Sequence, residues 1–136
     1  MRSSPRARAT LAGVALAALA AAAATAARAA SIIDFDVWMR AIDKHSVDVQ
    51  KNIAAGNTDA AVADAQELAR LYGLMEAFFV ADGHTADAVE MSRSGKTLAD
   101  AIPPALAAKD YDGAAKAALD LSHACNDCHD AHKPFQ

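Results

Sequence analysis

Cys125-Asn126-Asp127-Cys128-His129 brings both cysteines of this 136-residue chain together with an imidazole, and His123 and His132 flank them. Cys-x-x-Cys-His is the spacing that attaches a c-type haem. Each thiol forms a thioether with one vinyl group, and the two-residue gap sets the sulfurs at the separation of the vinyls. The residue that follows is held under the iron. On this reading Cys125 and Cys128 carry one covalent haem c, and His129 is the proximal iron ligand. Three rivals use the same residues. A thioredoxin-like redox pair normally opens a helix in an α/β fold. A zinc site could draw on Cys125, Cys128, His129 and His132, which lie on neighbouring helical turns. A structural disulfide beside incidental histidines is the plainest.

The other end of the chain bears on this choice. Residues 1–30 have a basic start, an apolar middle from Leu11 to Ala24 and small residues before Ser31. That is the plan of a secretory signal peptide, with cleavage expected after Ala29 or Ala30. The apolar run is short for a span, which takes about 20 residues. No cysteine near the cut invites lipid anchoring, and Arg6 and Arg8 are not adjacent as a twin-arginine signal needs. The remaining domain, residues 31–136, is expected in the periplasm, where thiols oxidise readily.

Arg2, Arg6, Arg8 and Arg28 all fall in the leader, so the domain has nine bases against seventeen acids, a net charge of −8. Nucleic acid is a poor partner for such a surface, because phosphate contacts need clustered Lys and Arg. Redox partner proteins with basic docking patches suit it, since complementary charge speeds encounter. The apolar share of 54% is dominated by alanine and only 5% of the chain is aromatic. That composition favours helix, and no stretch alternates as a strand would.

Four amphipathic segments must position the cysteines. The first runs from about Asp34 to Ala55 with Phe35, Trp38, Met39, Ile42, Ser46, Val49 and Ile53 on one face, and Gly56 stops it. The second covers about Asp59 to Val80, facing inward with Ala61, Ala65, Leu68, Tyr72, Met75 and Phe79; Leu71, Leu74 and Phe78 widen the stripe. Thr85 is the expected cap of a third, Ala86 to Ala101, which turns Ala88, Met91, Leu98 and Ile102 inward around Gly95. Pro103-Pro104 should end or kink it. The fourth starts near Asp110 or Asp112 and reaches His132, with Ala114, Ala118, Leu121, Cys125, His129 and His132 on one side. Short connections favour antiparallel neighbours, so the expected fold is all-α, an up-down-up-down four-helix bundle in one domain.

An exported four-helix domain ending in Cys125-Asn-Asp-Cys128-His129-Asp-Ala-His132-Lys133 resembles the class II c-type cytochromes, the group of cytochrome c prime and its low-spin relatives. The resemblance spans residues 32–134. His132 stands where the family usually has an aromatic residue, and Lys133 keeps the basic position after it. The arginine often found four residues before the distal position is Phe35 here. The resemblance implies a single haem, dimerisation of many members through their first two helices, and, in low-spin members, a distal methionine on the first helix.

In such a bundle the end of the fourth helix lies level with the start of the first. Phe35, Trp38, Met39, Met75, Phe78, Phe79 and Met91 should gather there as the haem pocket. Met39 is the first candidate for the distal iron ligand, since thioether ligation is a known haem mode. His45 lies six residues, roughly 9 Å, deeper along the helix and fits less well. Lys133 and Arg40 are candidates to pair with the haem propionates, with solvation the plainer role. With Met39 bound, the protein is a single-electron carrier. With the distal site open, it binds nitric oxide or carbon monoxide. No set of acid, base and nucleophile marks an enzyme.

Overall fold

The computed structural model describes residues 29–83 and 86–132. The expected signal peptide, all but its last two residues, lies outside them, as do His84, Thr85 and Lys133. The described residues form four α-helices and no strand: α1 Ile32–Ala54, α2 Thr58–Asp82, α3 Ala86–Ala107 and α4 Tyr111–Ala131.

Local chemistry sets most of these limits. Ser31 caps α1 in a reciprocal box: its hydroxyl accepts from the Asp34 N–H at 3.3 Å, and the Asp34 carboxylate accepts from the Ser31 N–H at 2.7 Å. Two orphan donors are satisfied at once, so the helix begins two residues before the expected Asp34. Gly56 and Gly83 follow α1 and α2 with φ of +72° and +69°, a conformation that glycine adopts without a side-chain clash. The Asp110 carboxylate accepts from the Gly113 N–H at 2.9 Å and opens α4.

The third helix departs from expectation. It does not end at Ala101 but carries both Pro103 and Pro104 inside it and runs to Ala107. A proline in a helix interior costs about 3 kcal/mol, because it removes a hydrogen bond and crowds the preceding turn. Ile102 and Leu106 share one face and are 0% and 3% exposed. Burying each stabilises by about 1.5–3 kcal/mol, and only a continued helix keeps both in the core.

The core follows the predicted stripes. On α2, Ala61, Ala65, Leu68, Leu71, Tyr72, Met75 and Phe79 are buried, while Leu74 and Phe78 at the edge of the stripe are half-buried. Phe35, Ile42, Ser46, Val49 and Ile53 are buried on α1, while Trp38 and Met39 are half-buried. On α3, Ala88, Gly95 and Ile102 are buried and Met91 and Leu98 half-buried. Each helix packs against its chain neighbours, and α1 closes on α4 in the sparsest of the four contacts. Phe35 at the start of α1 meets Phe78 and Phe79 at the end of α2, with ring centroids 4.9 and 5.4 Å apart. Farther along α1, His45 Nδ1 lies 2.7 Å from Asp64 Oδ1 near the start of α2. At the end of α4, His132 Nε2 lies 2.9 Å from Asp87 Oδ2 at the start of α3.

Candidate functional site

The seam of α4 runs 114, 118, 121, 125, 128, alternating four- and three-residue steps that keep one face toward the bundle. Ala114, Ala118 and Leu121 on it are buried, but burial stops there. Cys125 and Cys128 continue the seam half-buried, and His129 is exposed. The second half of α4 therefore stands off the core, and the cysteines face a hollow.

That hollow is a cavity of about 160 Å³ walled by all four helices. Its α4 side is Ser122, Ala124, Cys125, Asn126, Cys128 and His129; α1 supplies Met39, Ile42, Asp43, Ser46, Val47 and Gln50. Tyr72 and Met75 come from α2, and Met91 and Ser92 from α3. A wider hollow of about 440 Å³ opens next to it, lined by Ile32, Phe35, Asp36, Met39, Arg40, Asp43 and His129. Met39, Asp43 and His129 border both spaces, so together they form a cleft along the loose α1–α4 seam.

The expected pocket residues separate into two groups. Met39, Met75 and Met91 line the cavity. Phe35 borders only the wider hollow and joins Phe78 and Phe79 in an aromatic cluster. Trp38 meets Phe78 edge-on at 6.5 Å and borders a separate surface hollow with Leu74 and Ala77. The aromatic rings thus tie the ends of α1 and α2 together, and the flexible methionines face the space.

The histidines are sorted as clearly. His45 is held by Asp64, which also accepts from Asn52 Nδ2 at 2.8 Å, so its ring is engaged toward α2. His132 is drawn to Asp87 on α3, away from the cysteines' seam. Among the described residues no three His, Cys, Asp or Glu side chains converge to hold a metal ion by themselves. Arg40 pairs with Asp36 one turn back on its own helix and lies at the rim of the wider hollow. His123 is exposed on α4.

Two groups in the cavity wall carry information that their sequence positions did not. Ser46 is 7% exposed and its buried hydroxyl has no hydrogen-bond partner. A hydroxyl held out of water without a partner is costly, so this one suits a polar group within the cavity. Tyr72 reaches across the core from α2 to place its hydroxyl 3.1 Å from Cys125 Sγ. Burial, then the neighbouring Cys125, pushes the Tyr72 phenol far above its ordinary range, so it stays protonated. Burial also raises the Cys128 thiol, with Cys125 and Asp87 adding to it. Both thiols are free. The inward period of helix two exposes Tyr72 as a core position, but its partner 53 residues away could be found only in three dimensions.

The residues present fit a covalently attached haem. Two free thiols lie one helical turn apart on one wall, an imidazole follows them, and a thioether stands on the facing wall. The space between is edged by apolar side chains such as Met39, Ile42, Met75 and Met91 together with polar ones such as Asp43, Ser46, Gln50 and Asn126. No protein-family model, no curated protein and no solved structure matches the chain. None of the described helices is long and apolar enough to cross a membrane.

Proposed function

We propose that the protein is a periplasmic c-type cytochrome resembling class II, carrying one haem on Cys125 and Cys128 and passing single electrons to and from partner proteins. The observation that carries this reading is the run of the α4 seam into two free, half-buried thiols beside a cavity, with His129 on the same wall and Met39 opposite. A helix whose apolar stripe ends in reactive side chains over a hollow is built to receive something large there. Pairing of the start of α1 with the end of α2, and of the end of α4 with the start of α3, supports an antiparallel up-down-up-down order.

When bound, the haem supplies one-electron chemistry at its iron, between ferric and ferrous. The chain's own residues do the rest. Cys125 and Cys128 would hold the group, and His129 would supply an imidazole to its iron. Met39, which lines the cavity from α1, would be the sulfur available to the iron, and such thioether ligation would raise the potential. His45, held by Asp64, is not free to compete. The acidic exterior steers the protein toward basic partner surfaces. The chain acts as a carrier rather than an enzyme, exported by its N-terminal leader.

The test is an absorption spectrum of protein matured with cytochrome c assembly factors, ferric and then reduced. Sharp reduced α and β bands, unchanged by carbon monoxide, are expected. A broad spectrum that shifts with carbon monoxide would replace the carrier by a gas-binding protein with an open distal site. No Soret band after confirmed export and maturation would overturn the haem reading, and zinc analysis of that protein would follow.

A further inference from the structure

Tyr72, Gly95 and Cys125 come from three different helices and meet where the buried core borders the cavity. Tyr72 is 5% exposed, and its hydroxyl lies 3.1 Å from Cys125 Sγ. α2 and α4 do not pack directly on each other, so the ring must cross the bundle to make this contact. It passes beside Gly95 of α3, where a β-carbon would come within 2.3 Å of Tyr72 Cε1. The bare glycine is thus the opening through which a tyrosine reaches α4. A buried tyrosine hydroxyl needs a partner, and sulfur is a weak one. Turning Cys125 away would leave that hydroxyl unpaired in the core, so the contact restrains the cysteine as well as the tyrosine.

We propose that Tyr72 is a positioning residue for Cys125: its hydroxyl donates a hydrogen bond to Cys125 Sγ, keeps that sulfur facing the cavity, and in the loaded protein raises the reduction potential through the thioether. In a free thiol either atom could donate. Once the sulfur is a thioether it has no hydrogen, and only Tyr72 can. A donor to a sulfur attached to the macrocycle withdraws electron density and favours the reduced iron, one of the outer hydrogen bonds that set such potentials. The redox half of this inference rests on the haem reading; the hydrogen bond does not.

The test compares wild type with Tyr72→Phe, which keeps the ring in its slot and removes only the hydroxyl. In the matured full chain the variant should keep its α-band position and helical circular dichroism. Its midpoint potential should fall, and the C–S stretching band in resonance Raman should shift. Gly95→Ala, which displaces the ring and leaves the hydroxyl present, should lower the potential in the same direction. An unchanged potential and C–S band in folded Tyr72→Phe would overturn the proposal. If the wild type carries no haem, the hydrogen bond is read on the reduced full chain, checked for cooperative unfolding, by mass-mapped alkylation. Several-fold faster modification of Cys125 in Tyr72→Phe, with Cys128 unchanged, would uphold the positioning role. Equal rates at Cys125 would end it.

Discussion

Gly95 on α3 lies so close to Tyr72 on α2 that an added β-carbon would stand 2.3 Å from Cε1 and 2.6 Å from Cδ1 of the ring. The contact is with the rigid body of an aromatic side chain, held in a buried site. It cannot be relieved by a small rotation. In isolation a helical glycine is worse than alanine by about 1 kcal/mol, so the position runs against local propensity for the sake of packing.

Gly95→Ala should therefore destabilise the protein in spite of its better helix propensity. Overpacking a core costs about 1–3 kcal/mol, more than the propensity gain. Thermal or urea denaturation should show a lower midpoint. Gly73, where the nearest contact for a β-carbon is Lys96 Cε at an ordinary 3.9 Å, is the control: Gly73→Ala should raise stability.

Three methionines line the cavity, and of these Met39 alone also borders the wider hollow, which His129 shares. Met39→Ala in the matured protein should abolish the low-spin spectrum, admit carbon monoxide and lower the midpoint potential. Met75→Ala and Met91→Ala should leave the reduced bands in place and affect mainly stability. Loss of the spectrum in either of those variants instead would reassign the distal sulfur.

His45 is a potential iron ligand by type and is removed from that role by Asp64. His45→Ala should leave the absorption spectrum and carbon monoxide response as in the wild type. Its cost should be a stability loss of about 1 kcal/mol, the usual net worth of an intramolecular hydrogen bond, read from a urea titration.

The raised Tyr72 phenol gives a pH signature. Between its ordinary value of 10.0 and its raised value, the folded protein keeps a proton that the unfolded chain has lost. Unfolding then releases a proton, so stability is intact below 10.0 and falls as the pH rises beyond it. Cys128 contributes with the same sign from its ordinary 9.0 upward while its thiol is free. Urea midpoints of the matured protein, in which that thiol is used, should fall above pH 10.0, and Tyr72→Phe should flatten the fall.

Helix identity and the inward faces were legible in the sequence because a 3.6-residue period requires no knowledge of neighbours. The central stripe of α2, from Ala61 through Leu68, Tyr72 and Met75 to Phe79, is buried, and the Cys125–Cys128 spacing places both thiols on the seam of α4. The end of α3 was not legible. Pro103 and Pro104 are local stop signals, and they are overridden by the burial of Ile102 and Leu106, a gain that exists only when other helices cover them. How the aromatic residues and the methionines divide was not legible either: Phe35, Phe78 and Phe79 pack on one another, while Met39, Met75, Met91 and Tyr72 line the cavity.

The sequence by itself determined four helices, most of their inward faces and a closely spaced thiol pair next to a histidine, because each depends on residues a few positions apart. Only the tertiary structure decided that α4 stands off α1 to leave a cleft, that Asp64 claims His45, and that Tyr72 reaches Cys125 past Gly95. Those are relationships between helices. They depend on which side chains meet across the bundle, and that is set by packing and by the pairing of buried polar groups rather than by any local pattern.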